Sequence, residues 1–141
     1  MRVLIDTCVV IDLIQNREPF IKEAKEIFHF IANKIVVGYI TAKATTDIYY
    51  LSHRCTHDSA ASKNILNKLF SVLELLDTDA MDCRKAALSP ISDYEDAVMV
   101  ETAIRSEVDC IVTRNLKDFE KSSVPTYSPQ AFLEKLKADM E

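Results

Sequence analysis

Short apolar runs rich in β-branched residues alternate along this chain with longer segments whose apolar residues recur every three or four positions. Residues 2–7 (RVLIDT), 34–40 (KIVVGYI), 71–76 (SVLELL) and 109–113 (DCIVT) have the character of strands, and 124–127 (VPTY) that of a short edge strand. Helical spacing fills the intervals. It covers 8–16, then a helix starting near Glu18-Pro19 with Phe20, Ile21, Ala24, Ile27, Phe28 and Ile31 on one face, then 41–54 with Ala44, Ile48 and Leu51 inward. Further helices open at Asp58 or Ser59, span 77–88 behind a cap at Thr78 or Asp79, span 94–108 behind a cap at Ser92 or Asp93, and end the chain with Pro129 in the first turn. Strands separated by helices pair in parallel, because the crossover returns the chain to the same edge of the sheet. The expected fold is α/β: a single three-layer α/β/α domain over residues 1–141 with a central, mostly parallel sheet, and with neither repeats nor a linker.

Several classes are excluded at this point. Hydrophobic residues at 48% and charged residues at 28%, evenly spread, fit neither a disordered chain nor a membrane protein. Asp6 interrupts the first apolar run where a signal peptide would continue, and no run approaches the roughly 18 apolar residues of a membrane helix; a soluble, cytoplasmic protein with no membrane partner is expected. Cys8, Cys55, Cys83 and Cys110 have no CxxC spacing and are expected as buried free thiols in a reducing compartment. The chain has one glycine, Gly38. A glycine-rich phosphate loop needs several, so no nucleotide cofactor is expected.

In a parallel α/β sheet the C-terminal strand ends share one edge, and ligands bind in the crevice there. Asp6 ends the first strand, and Asp47 lies two turns into the helix after the second. Asp93 and Asp96 open the helix before the last long strand, and Thr113, Asn115 and Asp118 follow that strand. Each acid alone has an ordinary reading: Asp6 and Asp93 as helix caps, Asp47 as an exposed helical acid, Asp118 as a turn residue. Gathered in one crevice they would repel by about 1–4 kcal/mol per pair at 4 Å, a penalty that a divalent cation removes. All-oxygen ligation with no histidine or thiolate nearby favours Mg²⁺ or Mn²⁺, ions of phosphoryl chemistry. The net charge of −5 argues at first against a polyanionic partner. Without Asp6, Asp47, Asp93, Asp96 and Asp118 the acidic and basic residues are equal in number, so a nucleic acid is not excluded. Arg114 and Lys117, with Lys43 and Arg54 on the Asp47 helix, are candidates for backbone phosphates, and Lys121 for a solvated cation.

The stretches LIDTCVVIDL (4–13), ITAKATTDIYYL (40–51), DYEDAVMVETA (93–103) and IVTRNLKDF (111–119), in this order and spacing, resemble the PIN domain, in the branch that includes the toxin subunits of bacterial toxin and antitoxin pairs. The resemblance implies a flavodoxin-like fold and a Mg²⁺- or Mn²⁺-dependent ribonuclease acting on RNA, held by an antitoxin protein. It maps the family's first acid to Asp6 and its third to Asp96. The second, a glutamate in many members, is Asp47 here. The fourth falls in Thr113-Arg114-Asn115, where an amide stands in the place of the common carboxylate and Asp118 is the neighbouring acid. By the same resemblance Asp6 and Asp96 are the principal metal ligands, Asp47 holds a water or acts as base, and Asp93, Asn115 and Asp118 complete the site. Thr113 orients a water or a carboxylate.

The alternative is a PIN-like scaffold of weak or absent activity that binds RNA or a protein partner, which the amide at Asn115 allows. A phosphatase or receiver domain fits less well, since no strand end supplies its lysine. The apolar residues of 18–33 and 58–70 are expected mostly in the core, with a homodimer or antitoxin surface as their other use.

Overall fold

In the computed structural model, which describes residues 1–141, five strands form one sheet: β1 (Arg2–Ile5), β2 (Val37–Thr41), β3 (Glu74–Leu76), β4 (Cys110–Val112) and β5 (Thr126–Tyr127). Their order is β3-β2-β1-β4-β5, and every neighbouring pair is parallel. Seven helices cover the sheet: α1 (Thr7–Ile14), α2 (Ile21–Ala32), α3 (Ala44–Thr56), α4 (Ser59–Phe70), α5 (Ala80–Ala86), α6 (Tyr94–Arg105) and α7 (Pro129–Met140). This is the three-layer α/β/α domain expected, with a fully parallel sheet.

The period of two in the strands sorts the core into its two faces. Val3 and Ile5 of β1, with Cys110 and Val112 of β4, pack against α1, α2, α3 and α7. Leu4 and Ile111 between them face the opposite way, onto α6 and Phe119. Right-handed crossovers require this split, because the chain moves from β1 out to β2 and β3 and then crosses to β4 on the other side of β1. The loops after β1 and β4 therefore diverge to opposite faces and leave a crevice at their C-terminal ends.

Element boundaries differ from the sequence reading for identifiable reasons. Residues 18–20 form a turn closed by Ile21 N–H on Arg17 O (2.7 Å), so α2 starts at Ile21, two residues beyond Pro19. Strand β2 begins at Val37 because Lys34 and Ile35 donate their N–H groups to Ile31 and Phe30 at the end of α2, with Lys34 left-handed at φ 59°. Val72 and Leu73 are used in the same way by the end of α4, which shortens β3 to Glu74–Leu76. Helix α3 opens at Ala44, so Asp47 stands in its first turn rather than two turns in. Asp58, Asp79, Asp93 and Ser128 cap α4, α5, α6 and α7. Most apolar residues of α2 enter the core, as expected, whereas α4 buries only Ser62 and Leu69. All four cysteines are free, but only Cys110 is fully buried. Cys55 lies in the last turn of α3 and faces solvent, correcting the expectation of four buried thiols.

The lone glycine has a packing reason. A Cβ on Gly38 would lie 2.6 Å from Ile31 Cδ1 and 2.9 Å from Leu73 Cδ2, so β2 passes directly beneath α2. Both neighbours are flexible side-chain ends that can rotate from a single methyl but not from a branched group. Gly38→Val should lose about 1–3 kcal/mol in chemical denaturation and Gly38→Ala markedly less; equal losses would contradict this account of the contact.

Candidate active site

The crevice is built around Asp6, the residue after β1. Its N–H donates to Val112 O (3.0 Å), carrying the β1–β4 ladder one step past the strand. Its Oδ1 accepts from Thr7 N (2.8 Å), which caps α1, and its Oδ2 accepts from Thr113 Oγ1 (2.7 Å). Thr113 is fully buried, and its hydroxyl in turn accepts from Asn115 N (3.0 Å), so the proton on Oγ1 is directed at Asp6. Asp6 is a helix cap, as the ordinary reading held, and still keeps unused lone pairs toward the crevice.

Asp6, Thr41, Lys43, Asp47, Glu95 and Asp96 line one cleft between the β1 and β2 ends and the start of α6. Asp93 caps α6 by accepting from Asp96 N (2.9 Å) and shares an adjoining recess with Lys117, Asp118 and Lys121. Partial burial first, and then the charges of Asp93, Asp6, Asp118 and Glu95, push the Asp96 carboxyl up to about 7. The only cation among the cleft residues is Lys43, whose Nζ bridges Asp47 Oδ2 (3.3 Å) and Glu95 Oε1 (3.0 Å). Burial opposes its charge, but the hydrogen bond to Glu95 and the two carboxylate charges outweigh burial and hold its ammonium above its ordinary value.

Asp6, Asp96, Asp47 and Thr113 are thus brought to one edge, with Asp93 and Asp118 close enough to act on Asp96. Other expected residues lie elsewhere. Asn115 engages the site only through its backbone N–H on Thr113. Arg114 turns away from the cleft: Nε and Nη2 bind Asp12 Oδ2 (2.6 Å) and Oδ1 (3.1 Å), and its guanidinium lies 3.9 Å over the Phe20 ring. Arg54 is seven residues beyond Asp47 on α3, about 10 Å along the helix. Lys43 follows β2 and faces the acids, correcting the view that no strand end supplies a lysine. A thiol also stands close by. Cys8 Sγ is 3.6 Å from Asp6 Oδ2, but burial and the Asp6 charge push it up to about 11, so it remains a neutral thiol beside a hard-oxygen site.

Two contributors escaped sequence reasoning. Glu95 sits beside Asp96 in the quoted DYEDA stretch and was overlooked as a partner for Lys43. Asp12 had a clear signal, an acid inside the apolar run VVIDLI that demands a cation. The donor chemistry fits a hard divalent ion: Asp6 and Asp96 offer carboxylate oxygens, and the like charges that raise Asp96 are those an ion would relieve. No three acidic, histidine or cysteine side chains already stand as a coordinating group. An ion such as Mg²⁺ that keeps several waters needs fewer.

A family model for the PIN domain matches residues 2–117. The chain belongs to the PIN domain family. Similar solved structures include DNA-bound VapBC from Salmonella typhimurium, 19% identical over 92% of this chain and 98% of that one with a TM-score of 0.70. FitAcB from Neisseria gonorrhoeae is 17% identical over 91% and 98%, with a TM-score of 0.66. A toxin–antitoxin complex from Klebsiella pneumoniae is 19% identical over 90% and 97%, with a TM-score of 0.64. At these identities the likeness is one of fold. A search of curated proteins returns no match. No helix of this PIN domain is long and apolar enough to cross a membrane.

Two outcomes follow from the electrostatics. Between pH 4 and 7 the folded state holds a proton on Asp96 that the unfolded chain, at the ordinary carboxyl value, has released. In EDTA this contribution to stability is full below pH 4 and is lost as pH rises through about 7. The carboxyl is only partly buried, and screening by water leaves on the order of 1 kcal/mol. Asp96→Asn should match the parent near pH 4 and exceed it by about that amount at pH 8, read from urea midpoints; a difference constant with pH would rule out the shift. The second outcome concerns the Asp12–Arg114 pair, in which Asp12 is 1% and Arg114 24% exposed. Asp12→Asn strands a partly buried guanidinium and should cost about 3–5 kcal/mol. A loss under 1 kcal/mol would show the pair to be solvated.

Proposed function

We propose that this PIN domain is a Mg²⁺- or Mn²⁺-dependent endoribonuclease and the toxin of a toxin–antitoxin pair. The observation that carries the reading is the gathering of Asp6, Asp47, Glu95 and Asp96 in one cleft whose only cation, Lys43, pairs with Asp47 and Glu95 and leaves Asp6 and Asp96 without a salt bridge. A cleft that charges its own acids in this way is costly in the free protein, and a hard cation repays the cost. Asp6 and Asp96 would hold the ion, with Asp93 and Asp118 completing the set, and when bound it would polarise the phosphodiester and acidify a water.

The chain's own residues do the rest. Thr113 fixes the rotamer of Asp6. Asp47, in the first turn of α3, holds the attacking water or takes its proton as the water oxygen bonds to phosphorus and the bond to the leaving ribose oxygen breaks. Lys43 and Lys117 meet the flanking phosphates from opposite sides of the acids. Arg114 acts through Asp12 by bracing the turn that carries Asn115 and Asp118. An antitoxin segment would present a cation, best an arginine, to the same carboxylates. The apolar groove lined by Leu13, Ile14, Phe28, Ile65, Leu69 and Val72 is the surface for its apolar side chains or for a homodimer. The fold likeness to a Klebsiella toxin–antitoxin complex supports this partner.

The second reading, a scaffold that binds RNA or a partner without cutting, is favoured by the amide at Asn115. One experiment separates the two. Purified parent should cleave RNA with Mn²⁺ or Mg²⁺ and not in EDTA, and Asp96→Asn should cleave about 100-fold more slowly or worse. Mn²⁺ should raise the melting temperature of the parent more than that of the variant. A parent that neither cleaves nor responds to either ion would leave only the scaffold.

A further inference from the structure

Helix α3 carries an exposed stripe that runs out of the acid cleft. At about 100° per residue, Lys43, Tyr50 and Arg54 all fall within about 60° of Asp47 around the helix. Lys43 and Asp47 line the cleft, and Tyr50 and Arg54 continue the stripe onto the open surface. Tyr50 is 65% exposed. Its backing is rigid: the Tyr49 ring meets it edge-on at 5.4 Å and 79°, Tyr49 stacks on His53 at 5.8 Å and 25°, and Tyr49 Oη donates to Ser59 Oγ of α4 (3.1 Å). The other strongly exposed tyrosine, Tyr94, is tethered through its hydroxyl to Cys83 O (3.0 Å).

We propose that Tyr50 is a stacking platform for the base next to the cleaved phosphate, with Arg54 binding the phosphate beyond it, so that an unpaired strand leaves the cleft along α3. The juxtaposition has the chemistry of single-strand recognition, an aromatic face between backbone-binding groups that accepts any base. Arg54 stands one turn beyond Tyr50 on the same stripe, where its long side chain can reach a phosphate past the stacked base. A paired base cannot reach such a ring, because its faces are already stacked within the duplex. This subsite rests on the ribonuclease reading for its direction but not for its existence, since a binding-only protein would use it equally.

The chain has no tryptophan, so Tyr50→Trp introduces a single reporter. In full-length Asp96→Asn/Tyr50→Trp, a short single-stranded oligoribonucleotide should quench the indole emission saturably, and the same oligomer as a blunt duplex should not. In the Asp96→Asn background, Tyr50→Ala should weaken single-strand binding, followed by anisotropy of end-labelled RNA, roughly 10-fold, while Tyr50→Phe keeps the parental affinity. In the active enzyme, Tyr50→Ala should raise KM by a similar factor with kcat within about 2-fold. Indole emission unmoved at RNA concentrations that saturate the anisotropy, or undiminished binding by Tyr50→Ala, would overturn the subsite and leave the ribonuclease reading standing. Quenching by RNA that the parent never cleaves would uphold the subsite and remove the ribonuclease reading. No RNA binding in any form would remove both.

Discussion

The hydrogen bond from Thr113 to Asp6 joins the ends of two strands whose onward loops go to opposite faces of the sheet. Everything else at the cleft is placed relative to it. The β1–β4 pairing brings the two residues level, and the ladder bond from Asp6 N–H to Val112 O holds that register one residue past the strand. Because Thr113 is fully buried, its hydroxyl must be satisfied inside the protein. Asp6 and the N–H of Asn115 satisfy both of its roles. The same three-residue knot that removes a buried unpaired hydroxyl therefore fixes the first acid of the site and starts the turn that carries the last.

Around this knot the electrostatics are deliberately incomplete. Lys43 binds Asp47 and Glu95 on the α3 side, yet Asp6, Asp93, Asp96 and Asp118 have no ion pair. Exposed bridges such as those of Lys43 are worth little, about 0–1 kcal/mol each, and break readily when a stronger ligand arrives. The cleft thus has one side covered by the Lys43 ammonium and another, around Asp6 and Asp96, where no cation of the protein is paired.

Most of the architecture was legible in the sequence because the two periodicities are clean. The parallel sheet, the helix starts at Asp58, Asp79 and Asp93, each one of two residues the pattern offers, and the gathering of Asp6, Asp47 and Asp96 all follow from pattern and from the shared edge of parallel strands. Strand starts were misjudged where helix carbonyls capture the first N–H groups of an apolar run, as at Lys34-Ile35 and Val72-Leu73. That competition depends on where the preceding helix stops, which spacing does not reveal. The partner of Arg114 was not legible for a related reason. Position beside the acids suggested a phosphate contact, but the choice of partner was made by Asp12, 102 residues away in the chain and invisible to local reading.

The buried acids show how structural and functional carboxylates can be told apart. Asp12 and Asp82 are both almost fully buried, and each has an arginine. Arg114 lies against Asp12 between α1 and the turn after β4, and Arg105 lies against Asp82 between α5 and α6, with Thr102 adding a further bond (3.0 Å). For Asp82, burial raises the carboxyl but the Arg105 hydrogen bonds, the Asp79 N–H and Thr102 outweigh it and hold the group below its ordinary value. Asp96 is driven the other way, by partial burial first and then by acidic neighbours, with no arginine to offset either. Asp12 and Asp82 are thus held by a cation despite their burial, whereas the Asp96 carboxyl, without one, is pushed up by burial and like charge together, so the partner rather than the depth sets the direction of each shift.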